Sequence, residues 1–332
     1  MHRPSVARSA ERVAWVLDDV WPETASMVAA RFGADDQLLA PGIVRGFPSR
    51  YDWPARRSKR AALLTTILRH RAMRRVAARP GAIRQQTYLE HDRSIARALA
   101  KAIDYRARHL VVAQAWLPWL DEAGALGGRT FDVVMSRYPF AAIHRLLDQA
   151  AGEVGPSATI ADFRAGPELV AAESRLLDRA RHIITPHHGI AGLFPGRAQL
   201  LAWHRRGATG DRRGTRVAFL GPTIARQRPD LVRALAGSLE QPLIVFGPIL
   251  EPLWGSTPIE RRTMGVDWLD GIGTILHPAA MTHQPRALLE AIARGVRVVA
   301  TPACGLAPDD YLPFERFGSS SPAPLVTSAA AG

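Results

Sequence analysis

Short apolar runs rich in β-branched and aromatic residues recur along this chain, and stretches with helical spacing lie between them. The runs are at 12–19, 110–115, 131–135, 182–185, 216–220, 243–246, 274–276 and 297–300. The helical stretches are at 23–32, 94–107, 168–181, 229–239 and 285–294. Strands that alternate with helices of this length pair in parallel, because each crossover lays a helix over the sheet and buries both of its faces. The predicted fold class is α/β.

A chain of 332 residues is long enough for two such domains, at about 100–200 residues each. Residues 204–215 hold three glycines and five charged residues with no apolar pattern, which predicts a connector. The expected domains are 1–203 and 216–317, followed by a Ser- and Ala-rich tail at 318–332. Cys304 is the only cysteine, so no intrachain disulfide forms. Apolar stretches such as 110–120 fall short of the roughly 18 residues needed to cross a bilayer, and the run at 13–17 is too short for a secretion signal. The expected location is cytoplasmic, with a peripheral place on the inner face of the cell membrane.

Charge is uneven. The net charge is +13, yet ten of the 43 basic residues fall between Trp53 and Leu89, where no acidic residue occurs. A basic amphipathic helix is predicted over 58–78, with Ala61, Leu64, Leu68, Ala72 and Val76 on one face and Arg71, Arg74 and Arg75 on the other. Such a helix suits an anionic membrane surface, and the Arg56–Arg84 region is the candidate contact. Binding of a nucleic-acid backbone through 53–89 is the weaker alternative, because no aromatic residue interleaves the arginines of the helix.

The segment 268–306 carries the most specific pattern. A strand ends at His277-Pro278, a loop leads to Pro285, a helix follows, and a strand begins after Gly295. Pro285, Leu288, Leu289, Glu290, Ala291, Ala293, Gly295, Val298, Val299 and Ala300 fit the donor-site motif of the retaining, nucleotide-sugar-dependent glycosyltransferases of the GT-B fold, and the segment resembles that family. More weakly, residues 20–24 resemble a turn of its polysaccharide-assembling members, and 180–186 the strand that ends their acceptor domain.

That resemblance implies two Rossmann-like domains facing each other across a cleft, with the nucleotide-sugar donor held by the C-terminal one. It implies a hexosyltransferase acting on a glycan or lipid-linked acceptor, as in polysaccharide biosynthesis, with no cofactor and no metal. The expected catalytic residues are Thr282 and Glu290, and the expected donor-binding residues are Gly221, Arg226, Arg228, His283, Gln284, Pro285 and Glu290. Glu290 takes the ribose hydroxyls in this scheme, and the N-terminus of its helix takes the diphosphate. Three departures stand out. Thr282 occupies the place of the family's first Glu, Pro222 that of its Arg and Gln227 that of its Lys. They favour, as the alternative, a non-catalytic glycosyltransferase-like binding or scaffold protein.

Other constellations have plainer readings. His182, His187 and His188 lack a carboxylate or cysteine at ligand spacing, Asp18-Asp19 and Asp309-Asp310 suit a strand end and a loop, and Cys304 suits packing. Glu23 is explained by the start of a helix.

Overall fold

The computed structural model describes residues 12–42, 50–53, 58–162, 164–205 and 214–314. In chain order the elements are β1 (Val13–Val16), α1 (Pro22–Arg31), β2 (Gln37–Pro41), β3 (Ser58–Ala61), α2 (Leu63–Arg75), α3 (Gly81–Ala100), β4 (His109–Ala113), α4 (Leu117–Glu122), β5 (Thr130–Val134), α5 (Phe140–Val154), α6 (Ala158–Ala161) and α7 (Pro167–Arg179). Then come β6 (Ile183–Thr185), α8 (His188–Ala191), β7 (Ala198–Leu200), β8 (Arg216–Leu220), α9 (Pro229–Ala236), β9 (Leu243–Phe246), β10 (Ile259–Arg262), β11 (Ile272–His277), α10 (Arg286–Ala293), β12 (Arg297–Ala300) and β13 (Leu312–Pro313).

The fold class is α/β, with two doubly wound parallel sheets. One has the strand order β3-β2-β1-β4-β5-β6-β7, the other β10-β9-β8-β11-β12-β13. In each, the chain builds outward on one side of its first strand and returns to pair on the other, so a switch point lies between β1 and β4 and another between β8 and β11. Central strands are buried on both faces. Val217 and Phe219 pack with Val232, Leu243 and Val245, while Ala218 and Leu220 pack with Ile244, Phe246 and Leu288. The edge strand β10, Ile-Glu-Arg-Arg, is only partly covered, and its charged side chains discourage further pairing.

Two compact units result. The first contains residues up to Met135, Gly166–Thr185 and Phe194–Leu201; the second contains Ser136–Ala165, Pro186–Leu193 and the chain from Ala202. Most of the expected connector, 206–213, and the expected tail, 318–332, lie outside the described residues.

The helix expected over 58–78 is corrected. Ser58–Ala61 is a strand paired with β2, and the helix α2 begins only at Leu63. The expected division of faces is corrected as well: Leu64 and Leu68 are exposed on the same stripe as Arg71 and Arg75, and Arg69 is the buried residue of the helix. Arg69 pairs with Asp92 of α3 and donates to the Tyr51 hydroxyl, so the one charge that α2 buries is satisfied. Among the described residues no helix is long and apolar enough to cross a membrane.

Candidate functional site

In the second unit β9, β8 and β11 are neighbours, so their carboxyl ends bring together the loops after Leu220, Phe246 and His277. Open parallel sheets bind ligands at such a point. Gly221 has φ 132° and Gly247 φ 94°. A Cβ at Gly247 would lie 2.9 Å from the Gly221 carbonyl, so this approach of two backbones needs glycine. The loops are tied across the sheet end by Thr223 N donating to Pro248 O (2.8 Å) and Ala280 N donating to Arg226 O (3.0 Å).

Two neutral histidines organise the loop between β11 and α10. His277 Nδ1 lies 3.1 Å from the Leu220 carbonyl, an acceptor, so this nitrogen carries the proton. Its Nε2 is then the acceptor for the Thr282 hydroxyl at 2.7 Å. His187 has the opposite tautomer. Its Nδ1 accepts from Ile190 N (3.1 Å), leaving Nε2 to donate to Thr282 O (2.9 Å). Burial holds both rings neutral, each with its pKa pushed down to about 4. Thr282 N also donates to Ala303 O (3.0 Å), so this residue is fixed on three sides.

His283 follows directly. Burial first, then the nearby positive charges of Arg137 and Arg226, push its pKa down to about 3, and its buried Nδ1 has no hydrogen-bond partner. Tyr138 lies against both rings, its centroid 4.8 Å from His187 and 6.3 Å from His283. Desolvation raises the Tyr138 phenol above its ordinary range, so it stays protonated.

The candidate residues fall into two groups. Gly221, Arg226, Thr282, His283, Gln284 and Pro285 lie on the loops at the carboxyl ends of β8 and β11, with Pro285 as the residue just before α10. Arg228 and Glu290 are engaged elsewhere. Arg228, with φ 57°, hydrogen-bonds Asp230 through Nε (3.1 Å) and Nη2 (2.9 Å) and pairs with Glu153 of α5. Its charge is already balanced inside the unit. Glu290 pairs with Arg294 one turn further along α10 at 3.1 Å. The Gln227 amide oxygen is buried without a partner against Gly221.

Tyr138, Arg137, His187 and His277 were not among the candidates. For His277 a signal existed, a histidine closing a buried strand at a switch point. Tyr138 and His187 precede Thr282 by 144 and 95 residues of sequence, and no spacing rule joins them.

A cavity of about 460 Å³ opens beside Phe246, at the ends of β9 and β10, with Arg261, Arg262, Asp267 and Trp268 in its wall. Its size suits a small-molecule ligand. Cys304 is fully buried and its thiol is pushed up to about 11 by desolvation, which leaves it unreactive. Both nitrogens of His187 are committed to backbone groups, which takes it out of any metal reading, and no group of three metal-ligating side chains occurs among the described residues.

The first unit has a polar cluster of its own after β1. Asp19 forms an ion pair with Arg50 at 3.0 Å, and the Asp18 carbonyl accepts from Trp53 Nε1 at 2.8 Å. Burial, then repulsion by Asp18, pushes Asp19 up to about 7 against the pull of Arg50 and Arg69.

No family model matches the chain, and no curated protein matches it. Among solved structures it is similar to the apo form of the lipopolysaccharide outer core galactosyltransferase WaaB, with 10% identity and a TM-score of 0.48 over 91% of this chain and 83% of that one. It is also similar to Os79 from O. sativa in complex with UDP, with 16% identity and a TM-score of 0.46 over 88% and 80%. A third is WaaG, a glycosyltransferase involved in lipopolysaccharide biosynthesis, with 16% identity and a TM-score of 0.44 over 88% and 82%.

Proposed function

We propose that the chain is a glycosyltransferase of the hexosyltransferase type, which moves a sugar from a nucleotide diphosphate donor to a glycan or lipid-linked acceptor. One observation carries this reading. The segment 268–306, which holds the family-like pattern, forms β11, the 278–285 loop, α10 and β12 at the switch point of the second sheet. That is where a diphosphate gains most from a helix N-terminus.

In this reading the first turn of α10 and Arg226 receive the diphosphate, and the nucleoside enters the cavity beside Phe246. The orphaned His283 Nδ1 is left to hydrogen-bond a hydroxyl of the ligand. Glu290 binds the ribose once it exchanges Arg294 for the ligand, and Thr282 borders the sugar with its hydroxyl oriented by His277. Cationic side chains and N–H groups balance the leaving diphosphate without a metal.

The reading predicts saturable thermal stabilisation by at least one of uridine, guanosine and adenosine diphosphate, with loss of the shift in Glu290→Ala. A flat response to the whole panel would sink it. A binding protein without transferase activity is the second reading, favoured because the Thr282 hydroxyl is already donated to His277 and Arg228 is already balanced by Asp230 and Glu153. It predicts the same stabilisation with no turnover of any nucleotide sugar.

A further inference from the structure

The cavity beside Phe246 joins an apolar wall to charged groups. Phe246 and Trp268 are both buried, their ring centroids 5.2 Å apart and their planes at 88°. Thr263, Gly265 and Asp267 line the cavity from alternate positions after β10, and Met264 and Val266 between them are 50% and 85% exposed. Two arginines border it with different commitments. Arg262 Nε donates to Glu260 at 2.6 Å, whereas Arg261 is exposed and has no ion pair among the described residues. An apolar pair bordered by a carboxylate and a guanidinium suits a flat heterocycle with polar edges, and a volume of about 460 Å³ admits a bicyclic one.

We propose that this cavity selects guanine as the base of the donor, with Asp267 accepting from its N1–H and 2-amino group and Arg261 donating to its O6 and N7. This inference rests on the donor reading given above and names the base of that donor. A carboxylate offers an acceptor at each oxygen, and a guanidinium offers donors alone. Guanine is the base that matches both, because it sets donors on two adjacent positions and the acceptors O6 and N7 beside them. Uracil flanks its single N–H with two carbonyl oxygens, which turn lone pairs toward a carboxylate. Adenine sets the bare N1 beside its amine, with the same result. Each mismatch leaves two acceptors facing one another, so Asp267 selects against the wrong base as well as for the right one.

The test is titration calorimetry of the full chain with guanosine, uridine, adenosine and xanthosine diphosphates. Guanosine diphosphate should bind at least about tenfold more tightly than the other three, the scale of one bidentate pair. Asp267→Asn should weaken guanosine diphosphate about tenfold or more. The same variant should bind xanthosine diphosphate at least as tightly as guanosine diphosphate, because xanthine carries a carbonyl where guanine has its amine and the Asn amide can donate to it. A merely structural role for Asp267 would not bring that exchange. Arg261→Ala should weaken guanosine diphosphate about tenfold, and melting curves without nucleotide check that each variant stays folded. Uridine or adenosine diphosphate binding as tightly as guanosine diphosphate would overturn the choice of base and leave the donor reading standing. Binding of no nucleotide at all would overturn both. An Asp267→Asn variant that treats guanosine diphosphate as the parent does, or loses every nucleotide equally, would also overturn the proposal.

Discussion

Arg228 and Arg226 stand two positions apart in an arginine-rich stretch, and nothing in the chain itself distinguishes their roles. The fold does so through charge balance. Arg228 is buried between Asp230 and Glu153, whereas the Arg226 carbonyl is tied to Ala280 and its charge bears on His283. Arg228→Ala should therefore destabilise the second unit by about 2 kcal/mol or more, with nucleotide affinity within about twofold of the parent, because two carboxylates lose their partner. Arg226→Ala should weaken nucleotide diphosphate binding about tenfold, the scale of one charge-assisted hydrogen bond. Titration calorimetry and denaturant melts of both variants separate the two roles.

Helices α2 and α10 show how far an apolar pattern carries at the scale of an element. The Leu288-Leu289 pair was readable as an inward face, and both side chains are buried under the second sheet. Leu64 and Leu68 have an equally regular spacing and point outward. Periodicity reports that a helix has an apolar side; it does not report which side meets the protein. Leu288→Ala should accordingly cost about 2–5 kcal/mol, and Leu68→Ala no more than about 0.5 kcal/mol, in denaturant unfolding of the full chain. A large cost at Leu68 would contradict the orientation of α2. Two of the strands that the pattern did not reveal have a physical reason too. β10 is an edge strand of Ile, Glu and two Arg, and β3 reads Ser-Lys-Arg-Ala, so neither needs the apolar run that marks a buried strand. α5, with Phe140, Ile143, Leu147 and Ala150 buried on one face, lies between Pro139 and Gly155-Pro156 and is legible both by spacing and by its flanks.

Across the whole molecule, the two units should respond to acid in opposite directions. His277 and His187 are held at about 4 in the folded second unit against 6.5 for the free group, so the unfolded chain binds the extra protons. Their contribution to stability is complete above 6.5 and is lost as pH falls toward 4. Asp19 in the first unit is raised to about 7 from 3.8, so its contribution is complete below 3.8 and is lost as pH rises toward 7. Between pH 4 and 6.5, hydrogen exchange corrected for intrinsic rate should show peptides of β8 and β11 opening more readily as pH drops. Peptides of β1 and β4 should open less readily. Asp19→Asn should flatten the second trend and His277→Gln the first; parallel trends in both units would refute the assignment.

The alternation of buried runs with helical stretches determined the α/β class by itself, because a parallel strand covered on both faces must be apolar along its length. The motif around α10 likewise located the candidate donor loop, since its residues are contiguous and their spacing is preserved along a single strand, loop and helix. Tertiary structure alone decided which long-range hydrogen bonds and ion pairs form within each unit. His187 reaches Thr282, Arg228 reaches Glu153 and Arg69 reaches Asp92 across 95, 75 and 23 residues of chain. Whether a polar side chain is free for a ligand depends on which partners packing brings to it, and over such separations only the folded chain specifies them.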